Sequence, residues 1–268
     1  MLFSILIAHY NNFEYFKDCY ASILKQSYQE YEIILVDDCS SDDSFRKIKE
    51  FTKDNPKIKI FRNEENKGVG FTKRKCAEFA TGKICGFLDP DDSLAENALE
   101  LSIKSHKSEN IVATHSQIQL CNNNLETIKL FNNTSKVKNG NPHFLNINFE
   151  ANHFFTFKKS AYDKTNGINQ ELTSAVDQDL YLKLYEIGNF FYIEKPLYYY
   201  RIHDKGVSQE KAKKATLNKN WHQVIFDTLQ RRKIPRLYGK NISEIENLPA
   251  FVFKKQNTLF AKLKKKFI

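Results

Sequence analysis

Aspartates close two of the apolar runs of this chain, as Asp37-Asp38 and Asp89-Pro90-Asp91-Asp92. Close carboxylates repel one another unless a cation or burial resolves the conflict. The hard oxygen ligands of Asp89, Asp91 and Asp92 suit Mg²⁺ or Mn²⁺ bridging two phosphates, and such an ion would act as a Lewis acid on a diphosphate leaving group. The loop that follows the first apolar run, Ala8-His9-Tyr10-Asn11-Asn12, holds no glycine. That excludes a GxGxxG dinucleotide site and a Walker A loop at the place where either would sit.

The elements that must present these residues follow from hydrophobic periodicity. Short apolar runs alternate with amphipathic stretches through the first hundred residues, which predicts βαβ units and a largely parallel sheet. Strands are expected over 3–8, 32–36, 58–61 and 84–88, and helices over 13–26, 43–52, 70–80 and 96–107. Two of those strands end in aspartates, at 37–38 and at 89–92. In an open parallel sheet the ligand crevice lies beyond the carboxyl ends of the strands, so both clusters point into one crevice. Further strands are expected over 111–115 and 118–121, a helix over 177–188, and two short strands in the aromatic run 190–200 around the Glu194-Lys195-Pro196 turn.

Four segments occur in an order that resembles family 2 glycosyltransferases with the GT-A fold: Ala8-His9-Tyr10-Asn11, Val36-Asp37-Asp38-Cys39-Ser40-Ser41-Asp42, Asn66-Lys67-Gly68 with Arg74, and Leu88-Asp89-Pro90-Asp91-Asp92. The resemblance extends from residue 1 to about 205 and implies a GT-A catalytic domain over 1–205, with a basic helical extension over 206–268. It implies that Tyr10 and the backbone near Ala8 flank the nucleobase and that Asp38 hydrogen-bonds the base. Lys67 and Arg74 would run along the ribose and phosphates, Asp89 would face the ribose, and Asp91 the metal, with Asp92 close behind. Val176-Asp177-Gln178-Asp179-Leu180 matches the segment of the catalytic base, which makes Asp177 the candidate. Tyr200-Arg201-Ile202-His203 resembles a closing loop whose histidine reaches the metal or the diphosphate.

The chain departs from the pattern at Val176, where the family usually has Glu; at Ala8, in place of a frequent proline; at Lys73 and Lys75, which replace the Ala and Asn that commonly flank Arg74; and at Asn166-Gly167, in place of a double glycine. With Val176 unable to act, Asp92 and Asp179 become the candidates for a second carboxylate at the acceptor site. The implied reaction is inverting transfer of a sugar from a nucleotide-diphosphate donor, a UDP-sugar by preference, to a hydroxyl of a glycan or lipid-linked acceptor, with Mn²⁺ or Mg²⁺ on the diphosphate. Two rivals remain open: a sugar-nucleotide pyrophosphorylase, which would want a glycine-rich, arginine-bearing loop after the first strand, and an inactive nucleotide-sugar-binding scaffold, which Mn²⁺-dependent transfer would exclude.

The net charge of +9 is unevenly distributed: residues 1–204 sum to −3 and residues 205–268 to +12. In the tail Phe253, Phe260, Leu263 and Phe267 recur among Lys254, Lys255, Lys262, Lys264, Lys265 and Lys266, the pattern of a basic amphipathic helix at a lipid interface. The tail lacks the interleaved aromatic and basic residues of a nucleic-acid groove, so a nucleic-acid partner is not expected. The five cysteines are scattered without a CxxC pair, which argues for a reducing compartment and against a thiolate metal site. No apolar run reaches the roughly 20 residues that span a bilayer. The expectation is therefore a cytoplasmic protein held peripherally at the inner face of the membrane.

Overall fold

A computed structural model describes residues 1–203 and 214–258. Apolar residues fill both faces of β1 (Phe3–His9) and β2 (Tyr31–Asp37), as strands buried between two helical layers require. These two pair in parallel, β3 (Ile58–Arg62) joins β2, and β4 (Ile84–Phe87) joins β1. The connecting helices are α1 (Phe13–Leu24), α2 (Ser44–Phe51) and α3 (Val69–Phe79). A two-residue strand β5 (Ser93–Leu94) and helix α4 (Ala98–Ser105) follow the 89–92 turn.

The sheet continues through β6 (Ile111–Cys121), its hairpin partner β7 (Thr127–Leu130), β8 (Thr156–Lys158) and β9 (Asn189–Arg201). Strand order is β3-β2-β1-β4-β8-β6-β9-β5, with β7 on β6. Strand β8 runs antiparallel to both β4 and β6, whereas β6 and β9 are parallel. The short α5 (Lys159–Tyr162) and the longer α6 (Val176–Tyr185) lie between β8 and β9 in the chain. This is the mixed α/β curled sheet expected of the GT-A fold.

The aromatic run departs from expectation. It forms one strand, β9, rather than two, because it pairs along β6 across a bulge: Ser116 faces Ile193, the next β6 residue Gln117 faces Pro196, and Glu194 and Lys195 are left without partners. Pro196 cannot donate to a ladder, and the bulge places it where no donor is needed. The same irregularity joins the two strands expected over 111–121 into β6.

One cluster of core residues lies against α3 and α6, including Leu6, Val36, Cys76, Phe155 and Tyr181. A second lies against α1, α2 and α4, including Phe3, Phe16, Ile33, Leu99 and Tyr198. Helix α3 approaches the 169–172 segment so closely that a Cβ at Gly70 would sit 2.5 Å from the Leu172 carbonyl and 2.7 Å from that of Asn169. Only glycine permits that contact.

The C-terminal part contains α7 (Lys214–Arg231), a small hairpin of β10 (Arg236–Leu237) and β11 (Lys240–Asn241), and α8 (Leu248–Gln256). Its own cluster, with Ile225, Leu229 and Val252, also takes in Leu145 and Ile147 of the body. The expected basic helix is described only at Phe253, Lys254 and Lys255; Phe260, Leu263, Phe267, Lys262, Lys264, Lys265 and Lys266 lie outside the described residues.

Candidate active site

The carboxyl ends of β1, β2 and β4 meet at one edge of the sheet. Buried Asp37 accepts from Ser40 N at 2.9 Å and lies 3.0 Å from His9 Nδ1. Burial pushes its carboxyl up, yet the hydrogen bonds from His9 and Ser40 win and hold it below the usual carboxylate range. Asn11 ties the two loops together: its Oδ1 accepts from Ser41 N at 2.8 Å and its Nδ2 donates to Ser41 Oγ at 2.8 Å. Beside this knot Tyr10 stands exposed and Ala8 is half-buried, positions open to a flat ring.

Asp38 has a demanding set of neighbours. Its Oδ1 accepts from Asn63 Nδ2 at 2.7 Å and Lys67 N at 2.8 Å, and its Oδ2 from Gly68 N at 2.8 Å. Asp38 therefore holds the 63–68 loop in shape, and only a residual lone pair is left for a base. Lys67 contributes its amide there, while its ammonium reaches Glu65.

The largest revision concerns the cation on α3. Arg74, expected along the phosphates, donates to Glu78 at 3.0 Å and to the carbonyls of Asn166 and Ile168 at 3.2 and 3.1 Å. It staples the 166–168 loop to α3. Lys73 instead faces the carboxylates: 4% exposed, it places Nζ 3.0 Å from Asp89 Oδ1 and 2.9 Å from Asp177 Oδ1. Burial pulls its pKa down, but Asp177 and Asp89 outweigh that and hold the ammonium firmly charged. The signal was present in the helical period: Val69, Cys76, Ala77 and Ala80 mark the inner face of α3, and Lys73 falls on it while Arg74 does not.

Asp177 opens α6, after Ala175 in the left-handed region at φ 58°. Burial pushes its carboxyl up, but Lys73 and then His153 offset this and hold it below its ordinary value. At neutral pH it stands ionised. His153 Nε2 lies 4.0 Å from Asp177 Oδ2, a neighbour that nothing in the sequence announced.

In the 89–92 turn, Asp91 Oδ2 lies 2.9 Å from His203 Nε2. Asp92 and Asp179, expected at the acceptor site, are both buried and bonded within the fold. Asp92 Oδ1 accepts from Arg201 N at 2.8 Å, and burial, reinforced by Asp91 and Asp89, pushes its carboxyl well up. Asp179 Oδ2 accepts from Asn169 N and Lys183 Nζ, each at 2.8 Å. Both act as struts. Arg201, overlooked as a residue with a task, ties Asp91 O at 2.7 Å to Asp18 at 2.8 Å and lies 4.7 Å over the Tyr15 ring.

Asp91 and His203 suit a divalent cation. They combine a hard oxygen with an imidazole nitrogen, and His203 Nδ1 is buried without a hydrogen-bond partner. Among the described residues no group of three or more His, Cys, Asp or Glu could hold a metal alone. Phosphate oxygens and water would have to complete the shell, as they commonly do for Mg²⁺.

Residues 4–165, more than half of the chain, match Glycosyl transferase family 2. The chain belongs to that family. This family 2 chain is 28% identical to a chondroitin synthase of Escherichia coli and to a hyaluronan synthase of Pasteurella multocida, each over 95% of its own length. It spans only 36% and 26% of those two relatives. It is also 33% identical, over 46% of its length and 48% of the relative's, to the Escherichia coli UDP-Glc:alpha-D-GlcNAc-diphosphoundecaprenol beta-1,3-glucosyltransferase WfgD. Among solved structures, Staphylococcus aureus TarS 1-349 in complex with UDP-GlcNAc superposes with a TM-score of 0.68 at 22% identity, covering 86% of this chain and 66% of that one. A mannosyltransferase of Pyrobaculum calidifontis, in complex with GDP-Man and Mn²⁺, gives a TM-score of 0.65 at 15% identity, covering 99% and 78%. These likenesses bear out the GT-A fold.

Proposed function

We propose that the chain transfers a hexosyl or N-acetylhexosaminyl group from a UDP-sugar to a hydroxyl of a glycan or lipid-linked saccharide, with inversion at C1. The observation that carries this reading is the Lys73 bridge. One buried ammonium holds Asp89, at the tip of the β4 strand, and Asp177, in the first turn of α6, at 3.0 and 2.9 Å. Both carboxylates keep about 30% of their side-chain surface open, at 29% and 31%. A donor-facing acid and an acceptor-facing base are thereby held on opposite sides of a single charge.

The chemistry then follows. With Lys73 on Oδ1, Asp177 offers Oδ2 to the acceptor hydroxyl. As the acceptor oxygen attacks C1 from the face opposite the diphosphate, its proton passes to Oδ2 and the C1–O bond breaks with its electron pair going to the diphosphate. A positioned base of this kind contributes about 10²- to 10⁴-fold in rate. Mn²⁺ or Mg²⁺ bound by Asp91 and His203 would supply Lewis-acid neutralisation of the leaving group. Tyr10 and Ala8 flank the base, Asp89 meets the ribose, and the Lys67 loop closes the nucleotide side.

A uridine donor is supported by two of the similar proteins, one solved with UDP-GlcNAc and one named for UDP-Glc. A glycan acceptor is supported by relatives named as chondroitin and hyaluronan synthases. The tail, with its charge of +12, docks on anionic lipid at the inner membrane face, where a lipid-linked acceptor would be held; co-sedimentation with anionic liposomes at low salt, lost at high salt, checks this. No helix among the described residues is long and apolar enough to cross a membrane.

The test of the reaction is transfer or donor hydrolysis across a panel of nucleotide sugars, with and without Mn²⁺. Asp177→Asn should bind UDP as the wild type does and lose turnover by at least about 10²-fold. Near-normal turnover in that variant would remove Asp177 from the role of base.

A further inference from the structure

The β10–β11 hairpin turns on two residues, Tyr238 and Gly239, between the paired Leu237 and Lys240. Both have positive φ, 48° and 82°, the combination of a type I′ turn, whose first position ordinarily goes to asparagine, aspartate or glycine. A tyrosine there is strained, and the fold gives it little burial in return. Tyr238 is 50% exposed, with the Phe251 ring of α8 6.1 Å away between centroids. The base beneath the tip is firm. Leu237 and Ile242 are buried with Leu248 and Val252, and Ile242 N donates to the Pro235 carbonyl at 3.0 Å. A well-packed stem thus holds an aromatic ring out into solvent.

Cations accompany that ring. Residues 231–256 hold seven Lys and Arg against Glu244 and Glu246. Arg231 and Arg232 are answered by Glu186 at 2.9 and 3.1 Å. Arg236 and Lys240, both exposed, flank the tip on its two strands, and Lys240 and Lys255 lie over the Phe251 ring at 5.9 and 5.8 Å. A tyrosine has an apolar body and a polar end, which suits the boundary between lipid headgroups and acyl chains, and cations beside it suit anionic headgroups. A protruding tip is a poor shape for a protein partner, which needs a patch of about 800 Å². A fluid surface needs only the point. We infer that the β10–β11 hairpin is an insertion point for anionic lipid: Tyr238 enters the interfacial layer while Arg236, Lys240 and Lys255 meet phosphate groups. The inference rests on the reading that the basic C-terminal part docks on such lipid, and it assigns a second contact, separate from the tail that follows α8.

The experiment titrates the full chain, as wild type, Tyr238→Asn, Tyr238→Trp and Lys240→Gln, with vesicles of mixed phosphatidylglycerol and phosphatidylcholine and with phosphatidylcholine alone, at low and high salt. Tyr238→Asn should keep or raise Tm, because asparagine suits the first position of the turn, and should weaken vesicle affinity by about three- to tenfold. Lys240→Gln should weaken it by about fivefold at low salt and hardly at all at high salt. Tyr238→Trp should keep its affinity, and its new indole should shift to the blue and be quenched by brominated acyl chains; the wild type, whose one tryptophan is Trp221, supplies the background. Equal binding by wild type and Tyr238→Asn, or an unquenched indole in Tyr238→Trp on vesicles that it binds, overturns the insertion point and leaves docking to the tail. If the wild type ignores anionic vesicles, the docking reading and the insertion point fall together. Self-association that depends on Tyr238, with no vesicle binding, would give the tip to a second copy and would also overturn the inference.

Discussion

Replacing Lys73 with methionine removes the ammonium that touches both Asp89 and Asp177 while roughly preserving volume. Withdrawing one member of a buried ion pair costs about 3 to 5 kcal/mol when the partner is left fully buried. Here the orphaned carboxylates retain 29% and 31% exposure, so water screens part of the penalty and the expected loss is about 2 to 3 kcal/mol. For a chain of this length each kcal/mol lowers Tm by about 2 to 4 °C, which gives a drop of about 4 to 12 °C at neutral pH.

The pH dependence sharpens this test. Lys73 has its pKa raised in the folded state, so its contribution is complete below the ordinary lysine value and unaffected between pH 4 and 8. Asp177 has its pKa lowered, so its contribution is present above the unfolded carboxylate value of about 3.9 and is lost as pH falls through the folded one. Without Lys73 the largest influence holding Asp177 down is gone, burial is opposed chiefly by His153, and its carboxyl rises. The stability gap between wild type and Lys73→Met, followed by thermal denaturation, should therefore be widest near pH 7 to 8 and close toward pH 4. A gap below about 0.5 kcal/mol at pH 7, or one that stays constant down to pH 4, would refute the shared-cation account.

Four further outcomes are expected. Gly70→Ala should lower stability by about 1 to 3 kcal/mol in denaturant unfolding, because the new Cβ meets the Leu172 and Asn169 carbonyls at 2.5 and 2.7 Å and backbone cannot easily yield. Arg74→Ala should leave the donor KM within about twofold while costing about 1 kcal/mol of stability, since its contacts are Glu78 and the 166–168 loop; a large rise in KM would return Arg74 to the phosphates. Glu32→Gln should blunt acid unfolding. Burial of Glu32 is outweighed by Lys59, Ser4 and Thr81, which bring its pKa to about 2, so its contribution holds above about pH 4 and fades toward pH 2. His203→Ala should raise the Mn²⁺ concentration for half-maximal activity by about tenfold or more, and an unchanged metal dependence would remove His203 from the metal.

The acids proposed for the donor side are encoded locally in the sequence. Each of β1, β2 and β4 is an apolar run ended by polar residues, and the acids at Asp37-Asp38 and Asp89-Asp91 stand directly at those ends. The surroundings of Asp177 were not legible, because they are assembled from distant segments. His153 lies in the segment just before β8, and no spacing in the chain announces that it will come within 4.0 Å of Asp177. Asp92 and Asp179 looked like free carboxylates for the same reason: the donors that occupy them, Arg201 N and Lys183 Nζ, become neighbours only after folding. The contrast between Lys73, which faces the carboxylates, and Arg74, which bonds Glu78 and the 166–168 loop, is of another kind. A one-residue step turns a helix by 100°, so the choice required the face of α3 and not merely the presence of a cation.

Among the described residues, three of the eight non-glycine positions with positive φ stand where the proposed chemistry lies. Asn11, Cys39 and Ala175 adopt positive φ of 50°, 57° and 58° without being glycine, at a cost of order 1 kcal/mol each. They sit in the loop after β1, in the loop after β2, and at the start of α6, the places that present Tyr10, Asp38 and Asp177. Lys73 adds a buried charge to the interior of the α3 face that packs on these strands. A chain under selection for stability alone would relax such positions, for example with glycine at Ala175 or an apolar residue at Lys73. These three positions and Lys73 share the edge of the sheet at which we propose that donor and acceptor are bound, and there a departure from local preference has a use beyond stability.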